Sequence, residues 1–337
     1  MTTPEAAPFL AIRDLRVSFP TDDGVVHAVN GMDLTLAPGE TVGIVGESGS
    51  GKTVTSQALM GLLKDTSATV TGQILLDGQD LNALTEAQMR AYRGKKVAMI
   101  FQDPLSAMHP FYPVGVQIAE AYRVHNDVSK KTAAQVAVDM LGRVGIPDPS
   151  RRYSVYPHEF SGGMRQRAMI AMALVCEPEL LLADEPTTAL DVTVQAQILD
   201  LLCELQEETG TSVILVTHDL GVVAEVCHRV VVMYGGECVE QATVADLFSD
   251  PRHPYTQGLL ASMPSLARRS GRLNPIPGFP PSLSALPDGC LFADRCPKAH
   301  LVPDNACGTR RPTLTGPDGH PSRCHLTTLE PAQEVVR

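Results

Sequence analysis

The sequence predicts an α/β protein: a parallel sheet covered by helices, opened by an antiparallel segment and interrupted by a helical insertion. Three features point there. Continuous apolar runs at Leu180–Ala183, Val213–Val216 and Val230–Met233 are of the kind that a sheet buried on both faces requires. The short run Val42–Val45 leads into a glycine-rich loop and then into a helical pattern from Val54 to Leu63. Between residues 113 and 145, Val116, Ile118, Val136, Val138, Met140, Leu141 and Val144 recur mostly at helical spacing, with few strand signals among them.

Residues 1–8 are small and Pro-containing, the composition of a mobile terminus. From Phe9 the runs Leu10–Ile12 and Leu15–Phe19 predict a strand, Asp22-Asp23-Gly24 turns the chain into Val25–Val29, and Met32–Leu36 offers another strand. Pro38-Gly39-Glu40 then leads into the strand at Val42. Gly72–Asp80 carries a turn at Asp77-Gly78, followed by a polar helix around Thr85–Tyr92 and an apolar strand over Val97–Phe101. After a helical subdomain at about 103–175, the core resumes at Leu180; Ile198, Leu201, Leu202 and Leu205 then mark a helix closed by Gly210. Beyond Pro264 helical periodicity disappears, and 12 of the 26 prolines and four of the eight cysteines lie in residues 264–337. The expected division is therefore a core domain at 9–263 and a loop-rich Cys/Pro module at 264–337.

A formal net charge of −11 over 337 residues argues against sequence-independent nucleic-acid binding through a basic surface. No uninterrupted apolar run reaches 18 residues, and Met1–Glu5 lacks the basic start and apolar core of a signal peptide. A cytoplasmic chain is expected, in which the eight cysteines are thiols or metal ligands rather than disulfides.

The stretch Gly46, Glu47, Ser48, Gly49, Ser50, Gly51, Lys52 and Thr53 fits the phosphate-loop pattern, in the strand-to-helix context that the pattern needs. Gly46, Gly49 and Gly51 let the backbone turn tightly and aim its N–H groups at phosphates. Lys52 adds a mobile positive charge for the β and γ phosphates, and the Thr53 hydroxyl is placed to ligate Mg²⁺. Ser161, Gly162 and Gly163 open an apolar helix and form a second helix-N-terminus anion site. Asp184 and Glu185 end an apolar strand; the first is suited to hold Mg²⁺ through water, the second to orient or deprotonate an attacking water. Gln102 and His218 also terminate apolar strands, which puts their polar ends on the sheet edge of the phosphate loop.

Gly46 to Thr53, Gln102, Ser161 to Gln166, Asp184-Glu185, Ala189-Leu190-Asp191 and His218 resemble, in order and type, the phosphate loop, Q-loop, signature, Walker B, D-loop and H-loop of ATP-binding cassette ATPases. Phe101–Met108, the Phe160–Arg167 spelling of the signature and His253–Gln257 are similar to the ATPase subunits of bacterial dipeptide and oligopeptide importers. This resemblance implies a P-loop NTPase core that hydrolyses ATP with Mg²⁺. It implies that Lys52, Thr53, Gln102, Asp184, Glu185 and His218 serve the chain's own ATP, with Glu185 as catalytic carboxylate and Thr53, Gln102 and Asp184 around Mg²⁺. Ser161, Gly162, Gly163 and the D-loop Asp191 belong by the same resemblance to a head-to-tail pairing with a second, homologous ATPase subunit. Phe19 fits the family's adenine-stacking aromatic. The remaining implied partners are two transmembrane permeases and an extracytoplasmic solute-binding protein, with this chain peripheral on the cytoplasmic face of the inner membrane. Nickel importers use similar ATPases, and a soluble cassette ATPase with a metal-sensing tail is a further alternative. Phe160 and Met164 depart from the commoner Leu-Ser-Gly-Gly-Gln signature, while its Ser-Gly-Gly centre is intact.

Cys290, Cys296, Cys307 and Cys324 lack the tight C-x-x-C pairs of a zinc ribbon. Four thiolates can hold a [4Fe–4S] cluster without fixed spacing, and Cys290–Pro297 resembles a pattern that some peptide-importer ATPases associate with such a cluster. Zinc with histidine help and unligated thiols remain alternatives. Cys176, Cys203, Cys227 and Cys238 read as small apolar residues of the core. Pro275, Pro277, Pro280 and Pro281 read as a stiff connector.

Overall fold

The computed structural model of the chain describes residues 8–188, 190–263, 275–317 and 319–328. Its first elements are β1 (Leu10–Thr21), β2 (Gly24–Leu36), β3 (Thr41–Val45), α1 (Lys52–Leu59), β4 (Thr69–Leu76) and β5 (Gln79–Asp80). There follow α2 (Glu86–Tyr92), β6 (Val97–Ile100), α3 (Pro104–Ala107), α4 (Val114–His125), α5 (Lys130–Arg143), α6 (Pro149–Arg152) and α7 (Gly162–Leu174). Next come β7 (Leu180–Asp184), α8 (Val192–Thr209), β8 (Ser212–Thr217), α9 (Leu220–Val226), β9 (Arg229–Tyr234), β10 (Glu237–Thr243), α10 (Val244–Ser249) and α11 (Pro254–Ala261). The described residues of the tail form short 3-10 turns and one helical turn, Ala306–Thr309.

The chain divides into two compact units. One is built mainly from Leu36–Thr41 and Ala83–Val216, the other from Leu10–Thr35, Val42–Asn82 and Thr217–Arg337.

In the first unit β6, β7 and β8 run parallel, with Val97 opposite Leu180 and Leu180 opposite Ser212. Every residue of the three strands is buried, which explains why each reads as an unbroken apolar run. The registers carry Ile100 level with Ala183, so Gln102 and Glu185 emerge at the same edge of this sheet. The insertion is helical, as its periodicity predicts. Ala133, Ala137, Met140 and Leu141 form the buried stripe of α5, and Ser129 caps its start by accepting from the Thr132 amide at 3.1 Å. Gly210, in the left-handed region at φ 68°, closes α8, whose Ile198, Leu201 and Leu205 are buried.

In the second unit β2, β1, β4 and β5 form an antiparallel sheet in that order. Leu10 pairs with Leu76 and Ser18 with Thr69, with a shift of register between Arg13 and Arg16. Asp77 and Gly78, at φ 47° and 77°, make the predicted turn between β4 and β5. β3 runs parallel to β9, and β10 folds back antiparallel on β9. The core of this unit gathers Val45, Leu220, Val223, Val230, Val232, Tyr234 and Tyr255 with Leu291 and Phe292 from the cysteine-bearing tail.

Two boundaries differ from expectation. The pieces expected at 25–29 and 32–36 are one continuous strand, because Gly31 takes φ 82° within it. Helix α1 ends at Leu59 rather than Leu63, since Gly61 reverses the chain at φ 63°. No helix among the described residues is long and apolar enough to cross a membrane.

Candidate active site

The phosphate loop is presented by β3, whose five residues are all buried, and it runs directly into α1. Gly51 is the residue before this helix, at φ 99°, and it brings no side-chain cap, which leaves the first-turn amides for a bound anion. Two of the glycines are demanded by packing. A Cβ on Gly46 would lie 2.2 Å from the Met233 carbonyl oxygen, and one on Gly51 would lie 2.3 Å from that of Ala28. Lys52 is 5% exposed, and its ammonium donates to the carbonyls of Gly46 at 2.8 Å and Glu47 at 2.9 Å, holding the loop curled over it. The Ser50 hydroxyl is buried and has no hydrogen-bond partner among the described residues, as suits a donor aimed at a phosphate. Ser48, Gly49 and Thr53 lie at the exposed rim.

Glu47 is the exception in this loop. Its amide donates to the Tyr255 hydroxyl at 2.9 Å, and its carboxylate accepts two bonds from Arg295, at 2.8 and 3.0 Å. Its side chain is therefore committed to the cysteine-bearing tail. The same unit carries Phe19, half-buried on β1, and His218, exposed immediately after β8.

The first unit brings together a carboxylate site. The Glu185 amide donates to the Val216 carbonyl at 2.8 Å, and its Oε2 accepts from Gln102 Nε2 at 3.1 Å and from the Thr188 hydroxyl at 2.8 Å. Glu185 sits at φ 47°, a left-handed conformation that costs a glutamate about 1–2 kcal/mol. Strain of this kind persists only where the surroundings over-determine it, here through the bonds to Val216, Gln102 and Thr188. Asp184, just before it, is 2% exposed. The signature helix is tied to the same turn: Gln166 is buried and donates to the Pro186 carbonyl. Ser161 accepts from the Met164 amide at 3.3 Å as the first cap of α7, and Asp191 caps α8 through the Val194 amide at 3.0 Å. Gly162 and Ser161 are exposed at that helix start, and Gly163 is half-buried. Ala189, within the expected D-loop, lies outside the described residues.

In the tail, Cys290, Cys296, Cys307 and Cys324 line one small chamber with His253, Phe292, Val302, His325 and Leu326. Burial pushes all four thiols up, Cys290 to about 12, and nearby thiolates add to the rise at Cys290, Cys307 and Cys324. Among the described residues no group of three or more His, Cys, Asp or Glu is gathered tightly enough to hold a metal ion. That these four cysteines belong to one set was expected from the resemblance of Cys290–Pro297 and not from their spacing. The place of Arg295 and Tyr255 beside the phosphate loop was not expected; the one signal was Arg295 standing within Cys290–Pro297.

Residues 29–188 match the family model described as ABC transporter, and residues 239–301 match that of the oligopeptide/dipeptide transporter C-terminal region. The chain is 55% identical over 296 residues to the dipeptide transport ATP-binding protein DppD of Bacillus subtilis, covering 88% of each chain. It is 50% identical over 297 residues to the oligopeptide transport ATP-binding protein OppD of Salmonella typhimurium, again 88% of each. Among solved structures it resembles the ATP-binding cassette MJ0796, a dimer in a post-hydrolysis state bound to ADP and Pi. That match has a TM-score of 0.63 and 26% identity, covering 70% of this chain and 98% of that one.

Proposed function

Because the chain belongs to the ATP-hydrolysing subunits of the dipeptide and oligopeptide ABC transporter family, we propose that it energises peptide uptake through membrane-spanning partners. The observation that carries this reading is that both family models match on one chain, the cassette at 29–188 and the peptide-transporter region at 239–301. The second match supports peptide rather than nickel as the solute.

In this reading the chain is a cassette at 9–263, with its helical subdomain at about 103–175, followed by the Cys/Pro-rich module at 264–337. The amides of Gly46–Thr53 and the Lys52 ammonium cradle the phosphates of ATP, and Phe19 stacks on the adenine. Thr53, Asp184 and Gln102 would hold Mg²⁺, which would supply charge neutralisation on the γ-phosphate. Glu185 orients the attacking water and takes its proton, and its hydrogen bonds to Gln102 and Thr188 fix where that proton is accepted. His218 contacts the γ-phosphate. Ser161, Gly162, Gly163 and Asp191 face the ATP held by a second ATPase subunit, a different but homologous chain. Two permeases and an extracytoplasmic solute-binding protein complete the transporter, and this chain sits on the cytoplasmic face of the inner membrane.

Cys290, Cys296, Cys307 and Cys324 would form the donor set of a [4Fe–4S] cluster. Four thiols and an apolar lining suit such a cluster, whose donors stand further apart than those of a single ion. The chamber has a volume of about 10 Å³, room for one water, so admitting a cluster requires the thiols to swing outward. Since their raised pKa values keep them protonated at neutral pH, cluster capture must release protons.

Anaerobically purified chain, assayed for iron and sulfide and for ATP turnover with and without co-expressed permeases, tests the proposal. About four irons per chain with turnover stimulated by the permeases is expected. Turnover indifferent to the permeases, with zinc or no metal, would replace it by a soluble ATPase with a structural tail.

A further inference from the structure

The tail holds the phosphate loop at one residue, Glu47, by two bonds, and α11 adds a third. Arg295 is 8% exposed, and besides its paired bonds to the Glu47 carboxylate it donates to the Tyr234 hydroxyl at 3.2 Å and to the Pro277 carbonyl at 2.9 Å. Its guanidinium lies 5.6 Å from the Tyr234 ring centroid and 5.9 Å from that of Phe292. A fifth bond, to the Ile276 carbonyl at 3.4 Å, leaves every donor of the guanidinium assigned. The third bond runs from the Glu47 amide to Tyr255, a fully buried side chain packed on Tyr234 and Phe292.

The other end of this assembly is the four-cysteine chamber. Arg295 immediately precedes Cys296, and Phe292, which packs on both tyrosines, lines the chamber with Cys290, Cys296, Cys307 and Cys324. The backbone closes the same circuit, since the Cys290 amide donates to the Cys307 carbonyl at 2.8 Å and that of Cys296 to Ala293 at 3.2 Å. Phe292 and the Arg295–Cys296 peptide are thus shared between the chamber and the contacts to Glu47, whose carbonyl also accepts from Lys52 at 2.9 Å.

We propose that Arg295 is a positioning residue through which the four-cysteine chamber sets the shape of the phosphate loop, so that filling the chamber with an iron–sulfur cluster changes nucleotide affinity. This rests on the reading of residues 46–53 as the ATP site. Linkage makes the coupling reciprocal: ATP must change the affinity of the chamber for its ligand by the same factor.

The test measures binding of a fluorescent ATP analogue, and KM against kcat for ATP, on full-length chain. Variants are Arg295→Ala, Arg295→Lys, Glu47→Gln, Cys296→Ser and the pair Arg295→Ala/Cys296→Ser. Arg295→Ala should weaken ATP binding by about tenfold, the scale of losing one partner of a buried charge-assisted pair, with KM rising more than kcat falls. Arg295→Lys should fall between. Cys296→Ser should shift ATP affinity when Arg295 is present and add nothing in the pair. If Arg295→Ala does not fold, as judged by its melting transition, Glu47→Gln is read in its place. Wild-type affinity in folded Arg295→Ala or Glu47→Gln, or an unchanged Cys296→Ser effect without Arg295, overturns the proposal. Absence of ATP binding by the wild type, or its survival in Lys52→Ala, would instead defeat the assignment of the ATP site itself.

Discussion

Replacing Gly46 by alanine tests whether the loop's geometry, and not only its residue types, is what binds nucleotide. The new Cβ would meet the Met233 carbonyl oxygen at 2.2 Å and the Ser50 hydroxyl at 2.7 Å, while φ 156° already excludes most side chains. The Met233 carbonyl belongs to β9, so the loop must move instead of the strand. Reaching an ordinary contact distance takes about 1 Å of movement, and a shift of that size at a reacting centre costs about a hundredfold in rate. Because the Gly46 carbonyl accepts from Lys52 at 2.8 Å, the same shift displaces the ammonium. Gly49→Ala is the control: at φ 78° nothing lies within 4 Å of the new Cβ, leaving only left-handed strain of about 1–2 kcal/mol. The assay is kcat/KM for ATP on variants whose melting transitions show them folded. Gly46→Ala should lose about two orders of magnitude and Gly49→Ala only a few-fold. Equal losses in the two, or near-normal kcat/KM in Gly46→Ala, would refute the steric reasoning.

Glu185→Gln keeps an acceptor for Gln102 and Thr188 but cannot take a proton, so ATP should still bind while turnover drops by about two to four orders of magnitude; turnover close to wild type would remove Glu185 from its role. Burial pushes His253 down to about 3 from 6.5, so its stabilising neutral form is complete above pH 6.5 and is lost as pH falls towards 3. Urea midpoints should therefore decline over that window with a contribution of up to about 1.4 kcal/mol per pH unit, absent in His253→Gln; identical acid profiles for the two would contradict it. The fully buried Cys238 thiol is pushed up to about 12 from 9.0, so the unfolded chain loses its proton first and stability should fall between those values. Cys238→Ala should flatten that alkaline slope, and a slope unchanged by the substitution would show that another group carries it.

The parallel strands were legible because burial on both faces leaves an unbroken apolar run, as at Leu180–Ala183 and Val213–Val216. Their ends were legible for the same reason: a polar residue after such a run, Gln102 or Glu185, has to surface at the sheet's edge. Local signals failed where a glycine does two opposite things. Gly31 keeps φ 82° inside β2 without ending it, whereas Gly61 at φ 63° does end a helix whose apolar pattern runs on through Leu62 and Leu63. Long-range pairing was not legible from local signals. Glu47 and Arg295 are 248 residues apart, and no periodicity relates them. The same holds for Glu240, fully buried, which accepts from the Arg252 and His253 amides at 2.7 and 2.9 Å and meets the His320 ring at 2.8 Å. Only folding brings such partners together, and a lone glutamate in a strand gives no sign of it.

The most direct measurement is uptake of a labelled dipeptide or oligopeptide into vesicles carrying this chain with its permeases, partner ATPase and binding protein. Accumulation should require ATP and collapse when Glu185 is replaced by glutamine. ATP-independent accumulation, or uptake undiminished by that replacement, would contradict the assignment of this chain as the ATP-hydrolysing subunit of a peptide importer.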